Sequence, residues 1–130
     1  MSANEKLKDL AAIDGFLGAA LYTPKGELLA NYGKDLQNLE AIGILANNVL
    51  LNAQKAALDM GAGRGQQVHV EAEGANVLVR CLNEGTDPLN SQPGKAHVHL
   101  VMVVNKDAQI GLAKLKLNQA IGKLADDFRV

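Results

Sequence analysis

The chain has 130 residues, 48% of them hydrophobic and 3% aromatic, with no Trp, so its core must be aliphatic. With 13 basic and 14 acidic side chains and no basic cluster, the sequence argues against a nucleic-acid binder. Cys81 is the only cysteine, which excludes an internal disulfide and predicts a buried thiol rather than a cysteine-based metal site within one chain.

Hydrophobic periodicity and turn residues predict eight elements in the order helix, strand, strand, helix, three strands, helix. In chain order these are a helix over 3–13, strands over 16–22 and 27–32, a helix over 36–60, strands over 66–72, 75–82 and 97–104, and a helix over 110–128. The connections between strands are of hairpin length, which predicts a mainly antiparallel sheet covered by helices. Residues 83–96 form one long loop, and loops of this length are often functional.

No apolar run approaches the roughly 20 residues that a membrane helix requires. The N-terminal residues lead into a charged amphipathic stretch rather than an apolar signal core. We therefore expect a single cytoplasmic domain over residues 1–130 that does not insert into a membrane.

The long helix carries two apolar arcs when its residues are placed at about 100° intervals. The broader arc is expected to face the sheet and contains Leu39, Ile42, Gly43, Leu45, Ala46, Val49, Leu50, Ala53, Ala56, Ala57 and Met60. Beyond a polar arc of Asn48, Asn52, Lys55 and Asp59, a second stripe repeats every seven residues at Ile44, Leu51 and Leu58. Because a helix that covers one sheet needs only one apolar arc, this stripe predicts self-association. The alternative is that the last helix or the long loop covers it.

Three further features suggest chemistry but have simpler interpretations. The glycines of residues 61–65 follow a helix and precede a strand, the reverse of a phosphate-binding loop, so we interpret them as a turn. His97 and His99 share one face of a strand, and with His69 they offer three imidazoles to zinc. Asp and Glu are absent near His97 and His99, and we favour a polar solvent-exposed face for them. Glu71 and Glu73 share one face of a strand, but paired carboxylates at a strand edge are usually solvated. We find no nucleophile constellation, so no enzyme and no cofactor are expected.

The ordered set of motifs resembles the roadblock/dynein light chain family, in particular its prokaryotic members, over nearly the whole chain. The resemblance is carried by Ile13–Leu21, Gly26–Ala30, the helix from Leu39 to Leu58, Gln67–Glu71 and Ile110–Ala113. It implies an α+β, profilin-like sandwich with a five-stranded antiparallel sheet and helices on both faces. The long loop at 83–96 departs from the short turns that are usual in the family.

The resemblance also implies a function without a catalytic centre. Members of the family form dimers that align the long helices and join the two sheets through the strand after that helix, here residues 66–72. They regulate or scaffold small Ras-like GTPases. Together with the second stripe, this predicts a homodimer interface containing Ile44, Leu51, Leu58, Asn48, Lys55, Gln67, His69 and Glu71. The alternative is a small-molecule-sensing module, in which the loop at 83–96 covers a ligand pocket.

Overall fold

The computed structural model describes residues 3–33 and 36–129; residues 1, 2, 34, 35 and 130 of the predicted domain lie outside this part. The helices are α1 (Ala3–Lys8), continued by a 3₁₀ turn (Asp9–Ala12), α2 (Leu39–Asp59) and α3 (Ile110–Ala125), continued by a 3₁₀ turn (Asp126–Phe128). The strands are β1 (Phe16–Tyr22), β2 (Leu28–Tyr32), β3 (Gln67–Glu71), β4 (Ala75–Asn83) and β5 (His97–Asn105). The predicted order of elements is confirmed, although α2 begins three residues later than predicted.

The five strands form one antiparallel sheet in the order β2-β1-β5-β4-β3. The central strands β1 and β5 are buried along most of their length because helices cover both faces of the sheet. This explains why β1 is apolar at consecutive positions instead of alternating between apolar and polar residues. The outer strands are β2 and β3, so each has one edge that no other strand of the sheet pairs with. The predicted fold class is confirmed.

Two separate hydrophobic cores lie on the two faces of the sheet. The larger core packs α1 and α3 against one face, and its members include Leu7, Leu10, Leu21, Leu78, Leu100, Met102, Leu117, Ile121 and Leu124. The smaller core packs α2 against the other face and contains Ala20, Tyr22, Ala46, Leu50, Val79, Cys81 and Val101. Alternation along each strand assigns neighbouring residues to opposite cores, for example Leu100 to the larger core and Val101 to the smaller one.

A close approach and a glycine cap fix the position of α2. At Gly43 the helix lies so near β1 that a Cβ atom would come within 2.5 Å of the Tyr22 ring. The Tyr22 hydroxyl donates a hydrogen bond of 2.6 Å to the Leu39 carbonyl at the start of the helix. At the other end, Gly61 has a φ of +76° and the amide of Ala62 bonds to the Ala57 carbonyl, which is a Schellman cap. The predicted glycine cap is confirmed.

The long loop after β4 is held by hydrogen bonds of its own polar side chains. The Asp87 carboxylate accepts from the amides of Leu89 and Asn90, and these bonds lower its pKa. The Gln92 side chain accepts from the Thr86 amide at 2.7 Å. The Glu84 amide donates to the Ala96 carbonyl and the Ala96 amide donates to the Glu84 carboxylate, which closes the loop. These bonds hold the loop in place up to His97, the first residue of β5.

Within residues 3–33 and 36–129, no helix is both long enough and apolar enough to span a membrane.

Candidate functional site

The side of α2 that faces away from the sheet is apolar over much of its length. Ile44 is 57% exposed, Leu45 62% and Leu58 55%, and Val49 is also exposed. We call these four residues the α2 apolar face. Leu51, the middle residue of the predicted stripe, is only half-buried, while Asn48 and Lys55 beside it are exposed. The α2 apolar face is the largest group of exposed aliphatic side chains on one element of the described structure.

The predicted division of α2 into two arcs was partly wrong. Leu45, Val49, Ala56 and Met60 were assigned to the side facing the sheet, but they are exposed. Only Gly43, Ala46 and Leu50 of the predicted arc are fully buried. A helix lying on a sheet buries a narrow stripe, and the eleven residues of the predicted arc were too many for it. Its width was the signal that part of the arc faces outward.

The edge strand β3 extends the apolar surface beside α2. Val68 packs into the core beneath α2, so Val70, two residues further along the strand, lies on the same face of the sheet and is exposed. The predicted interface residues Gln67, His69 and Glu71 alternate with these valines and lie on the opposite face. β3 is an outer strand of the sheet, and among the described residues only β4 pairs with it.

Among these residues, His69 has a specific structural contact. Its Nε2 donates to Asn76 Oδ1 at 2.9 Å, and the Asn76 amide nitrogen donates to the carbonyls of Asn105 and Lys106. Glu71 is exposed, and Gln67 is half-buried. The structure therefore places the predicted interface residues on two adjacent elements, α2 and β3, but on different faces of the sheet.

The other two histidines are buried, which corrects the prediction of a polar solvent-exposed face. His97 is 3% exposed and His99 is 2% exposed. Both alternate with residues of the larger core, so they point to the α2 side of the sheet. The register of β4 and β5 places Cys81 directly opposite His99. The three residues each offer one ligand atom, and these atoms lie within 4.8 Å of one another. We call them the Cys–His cluster.

The prediction of a buried thiol at Cys81 is confirmed, and two buried imidazoles lie beside it. The chain supplies one thiol and two imidazoles from neighbouring strands, a combination that cysteine spacing in the sequence does not reveal. The third histidine, His69, does not join them because β4 separates β3 from β5. The signal available in the sequence was the alternation of His97 and His99 with apolar residues in a strand predicted to be central.

Burial dominates the electrostatics of the Cys–His cluster. It raises the pKa of Cys81 to about 11, although the positive charges of Arg80 and Arg64 oppose this. Burial also lowers the pKa of His99 to about 4, helped by the neighbouring His97. The pKa of His97 is lowered by burial as well, while its hydrogen bond to Asn90 and the Asp87 carboxylate act in the other direction. Asp87 shows that the loop brings an acidic residue close to His97, which the sequence analysis did not expect.

The remaining glycine-rich and acidic features have ordinary surroundings. Gly61 and Gly63 have positive φ, and the segment leads from the cap of α2 to β3, as expected of a turn. Glu71 and Glu73 are exposed at the end of β3 and in the turn that follows it.

The fold is similar to that of solved roadblock structures. In sequence comparisons no family model and no curated protein matches the chain. A Roadblock/LC7 domain from Streptomyces avermitilis superimposes with a TM-score of 0.82 at 14% identity, covering 100% of both chains. The gliding protein MglB from Thermus thermophilus gives a TM-score of 0.75 at 22% identity, covering 96% of this chain and 89% of that one. A structure described as MglB with tetrameric arrangement gives 0.79 at 23% identity, covering 97% and 87%.

At these identities the similarity shows the fold. The chain has the roadblock-type fold, which confirms the resemblance stated from its sequence.

Proposed function

We propose that the protein is a homodimeric, non-enzymatic scaffold or regulator of a small Ras-like GTPase, acting in the cytoplasm through protein–protein contacts. The observation that carries this proposal is the exposed α2 apolar face next to the free edge of β3. The GTPase part rests on the family resemblance, and the roadblock-type fold supports it.

The spacing of the apolar residues on α2 suits an antiparallel pair of identical helices. Ile44 and Leu58 lie seven residues before and after Leu51, which places them about 10 Å on either side of it along the helix. A two-fold axis passing near Leu51 would bring Ile44 of one copy against Leu58 of the other. Such an interface is isologous and closes on itself, as a stable dimer requires.

The edge strand supplies a second element to the same interface. Pairing β3 with its own copy would satisfy the free backbone donors and acceptors of this edge and join two five-stranded sheets. Val70 would then add to the apolar surface buried between the two copies. That one solved MglB structure is described as having a tetrameric arrangement supports the view that this fold self-associates.

Light-scattering chromatography of the native chain and of the double variant Ile44→Glu/Leu58→Glu tests the dimer. The native chain should elute as a dimer, and the variant as a monomer, because two buried carboxylates in each copy would lack partners. The matched control is Leu115→Glu on α3, where the leucine is 53% exposed on the opposite face of the sheet. A dimer that survives the double substitution, or a native monomer, would contradict the proposed interface.

GTPase binding is tested separately with the native dimer. Ras-like GTPases encoded near the gene are loaded with GDP or with a non-hydrolysable GTP analogue, and binding is measured by calorimetry. We expect a difference in affinity between the two nucleotide states for at least one GTPase. Equal affinity for both states, or no binding to any of them, would leave the dimer intact but refute the regulatory role.

The alternative, a ligand-sensing module, has one observation in its favour. The long loop lines an open cavity of about 330 Å³ together with Leu29, Val98 and Phe128. This volume lies at the lower end of the range for small-molecule sites. A thermal-shift screen with metabolites tests it, since a ligand at about 100-fold over its dissociation constant stabilises by about 2.7 kcal/mol. If no metabolite in the screen changes the melting temperature, the ligand-sensing alternative is contradicted and only the scaffold proposal remains.

A further inference from the structure

The Cys–His cluster brings together three buried side chains that can each act as a metal ligand. Cys81 on β4 faces His99 on β5 across the strand pair, and His97 lies two residues before His99 on the same face. The two imidazole rings are 5.3 Å apart between centroids, in an edge-to-face arrangement. The strands that carry these residues are hydrogen-bonded neighbours near the middle of the sheet, so their backbone positions are fixed without any ligand.

One imidazole nitrogen of the cluster lacks a hydrogen-bond partner among the described residues. His99 Nδ1 is fully buried, and no hydrogen-bond partner for it exists in the described part of the chain. A buried polar atom without a partner is costly, and native proteins contain few of them. An aliphatic side chain at position 99 would fill the same space without that cost. The unpartnered nitrogen therefore points to a group that the protein binds.

The other histidine has its orientation set by the long loop. His97 Nδ1 lies 3.0 Å from the Asn90 carbonyl oxygen, which can only accept, so Nδ1 carries the proton. This leaves the lone pair on Nε2. A metal-binding histidine typically donates its second N–H to a carbonyl or carboxylate in this manner. Asp87, on the same loop, adds a negative charge near His97.

We propose that Cys81, His97 and His99 bind one Zn²⁺ ion, with the fourth coordination position open to water or a small anion. Thiolate and imidazole are the ligands that zinc prefers, and three protein ligands with one open position form a common zinc arrangement. In tetrahedral zinc sites the ligand atoms lie roughly 3.4–3.6 Å apart, given the usual bond lengths. The separations of up to 4.8 Å therefore close by about 1 Å on binding, which side-chain rotation can supply.

The residues around the cluster bear on two properties of the proposed zinc site, its net charge and its open fourth coordination position. Binding replaces the thiol proton of Cys81 with the Zn–S bond and releases that proton to solvent, while both imidazoles bind in their neutral form. Zinc with one thiolate leaves a net charge of +1 in a buried site. A small cavity of about 70 Å³, lined by Gln54, Arg64 and Cys81, adjoins the thiol. Arg64 carries a positive charge there, which favours hydroxide or chloride as the fourth ligand.

The test is a metal titration of the full-length chain after removal of metal with a chelator. Zn²⁺ binding is measured by competition with a chromophoric chelator, and Co²⁺ is used as a spectroscopic substitute. We expect one equivalent per chain and a thiolate-to-cobalt charge-transfer band in the near ultraviolet. Cys81→Ala and His99→Gln should each weaken Zn²⁺ binding by more than about 100-fold, since even residues that only orient metal ligands contribute 10- to 100-fold.

His69→Gln is the matched control, because it removes the remaining histidine and leaves the cluster intact. Its Zn²⁺ affinity should equal that of the native chain. An equal loss of Zn²⁺ affinity in all three variants would overturn the proposal, because the loss would then not depend on the cluster. An affinity that Cys81→Ala leaves unchanged would also overturn it. If a variant does not fold, as judged by circular dichroism, the proposal is tested by the Co²⁺ complex of the native chain. A Co²⁺ complex without the thiolate band, or no Co²⁺ binding, overturns the site.

Discussion

The two faces of the sheet are covered unequally. Two helices, α1 and α3, close one face over an aliphatic core that includes Leu10, Leu117 and Leu124, all buried. A single helix covers the other face, and its smaller core contains Tyr22 and Cys81, with His97 and His99 buried on the same side of the sheet. The α2 apolar face beyond that core remains exposed.

This difference places the main core on one side of the sheet and the residues of both proposals, the dimer interface and the zinc site, on the other. The face covered by α1 and α3 has the composition of an ordinary core, and we expect it to dominate the free energy of folding. The features that need a partner, the exposed apolar side chains and the unpartnered His99 Nδ1, lie on the α2 side. Substitutions that compare the two sides therefore test this division.

The largest expected effect is in the core beneath α3. Leu117→Ala removes a fully buried side chain and leaves a cavity, so the free energy of unfolding should fall by about 2–5 kcal/mol. Leu115→Ala, two residues earlier on the exposed side of the same helix, should change it by less than about 0.5 kcal/mol. Urea denaturation of both variants provides the measurement. A similar loss in both would show that α3 is not packed as described.

The close contact between α2 and β1 gives the next largest effect. Gly43→Ala would place a Cβ atom 2.5 Å from the Tyr22 ring and 2.6 Å from the Gly26 carbonyl oxygen. We expect a loss of about 1–3 kcal/mol as α2 shifts away from the sheet. Gly122→Ala on α3 meets nothing within 4 Å and should instead stabilise by about 0.5–1 kcal/mol. Thermal unfolding of both variants provides the measurement. A shift of the melting temperature in the same direction for both would contradict the close packing of α2 against β1.

A smaller effect is expected from the hydroxyl beneath α2. Tyr22→Phe removes the hydrogen bond to the Leu39 carbonyl and leaves that carbonyl without this donor, at a cost of about 0.5–1.5 kcal/mol. Tyr32→Phe on β2 is the control, because the half-buried Tyr32 ring packs against Phe16 with centroids 6.4 Å apart, a contact that phenylalanine retains. Chemical denaturation should separate the two variants, and an equal effect would mean that the Tyr22 bond does not anchor α2.

The smallest effect concerns the ion pair between the long loop and the C-terminal segment. Hydrogen bonds from Arg129 and from the Ala96 amide lower the pKa of Glu84 to about 2. A carboxylate with a lowered folded-state pKa stabilises above its unfolded pKa of about 4.5, and this contribution is lost as the pH falls toward 2. Glu84→Gln should therefore reduce the decline of the melting temperature between pH 4.5 and pH 2.

Glu73→Gln, in the exposed turn between β3 and β4, is the control for that pH series and should follow the native profile. If Glu84→Gln also follows the native profile, the contact between Glu84 and Arg129 does not persist in solution.

Much of the fold was predictable because hydrophobic periodicity and turn-forming residues are local properties of the sequence. The consecutive apolar residues of β1, the unbroken helical pattern up to Gly61 and the amphipathic pattern of α3 each specify an element without reference to the rest of the chain. The boundaries of α2 and its buried side were less predictable, since both depend on where β1 approaches Gly43. A helical wheel shows which residues form an apolar arc, but it does not show how many of them a sheet will bury.

The sequence by itself determined the order of elements, the aliphatic character of the core and the resemblance to roadblock domains. Only the tertiary structure decided which leucines of α2 remain exposed and that Cys81 meets His97 and His99. The physical reason is that burial and convergence depend on strand register and helix docking, which join residues far apart in the chain. One residue of slippage between β4 and β5 would turn Cys81 away from His99 to the other face of the sheet.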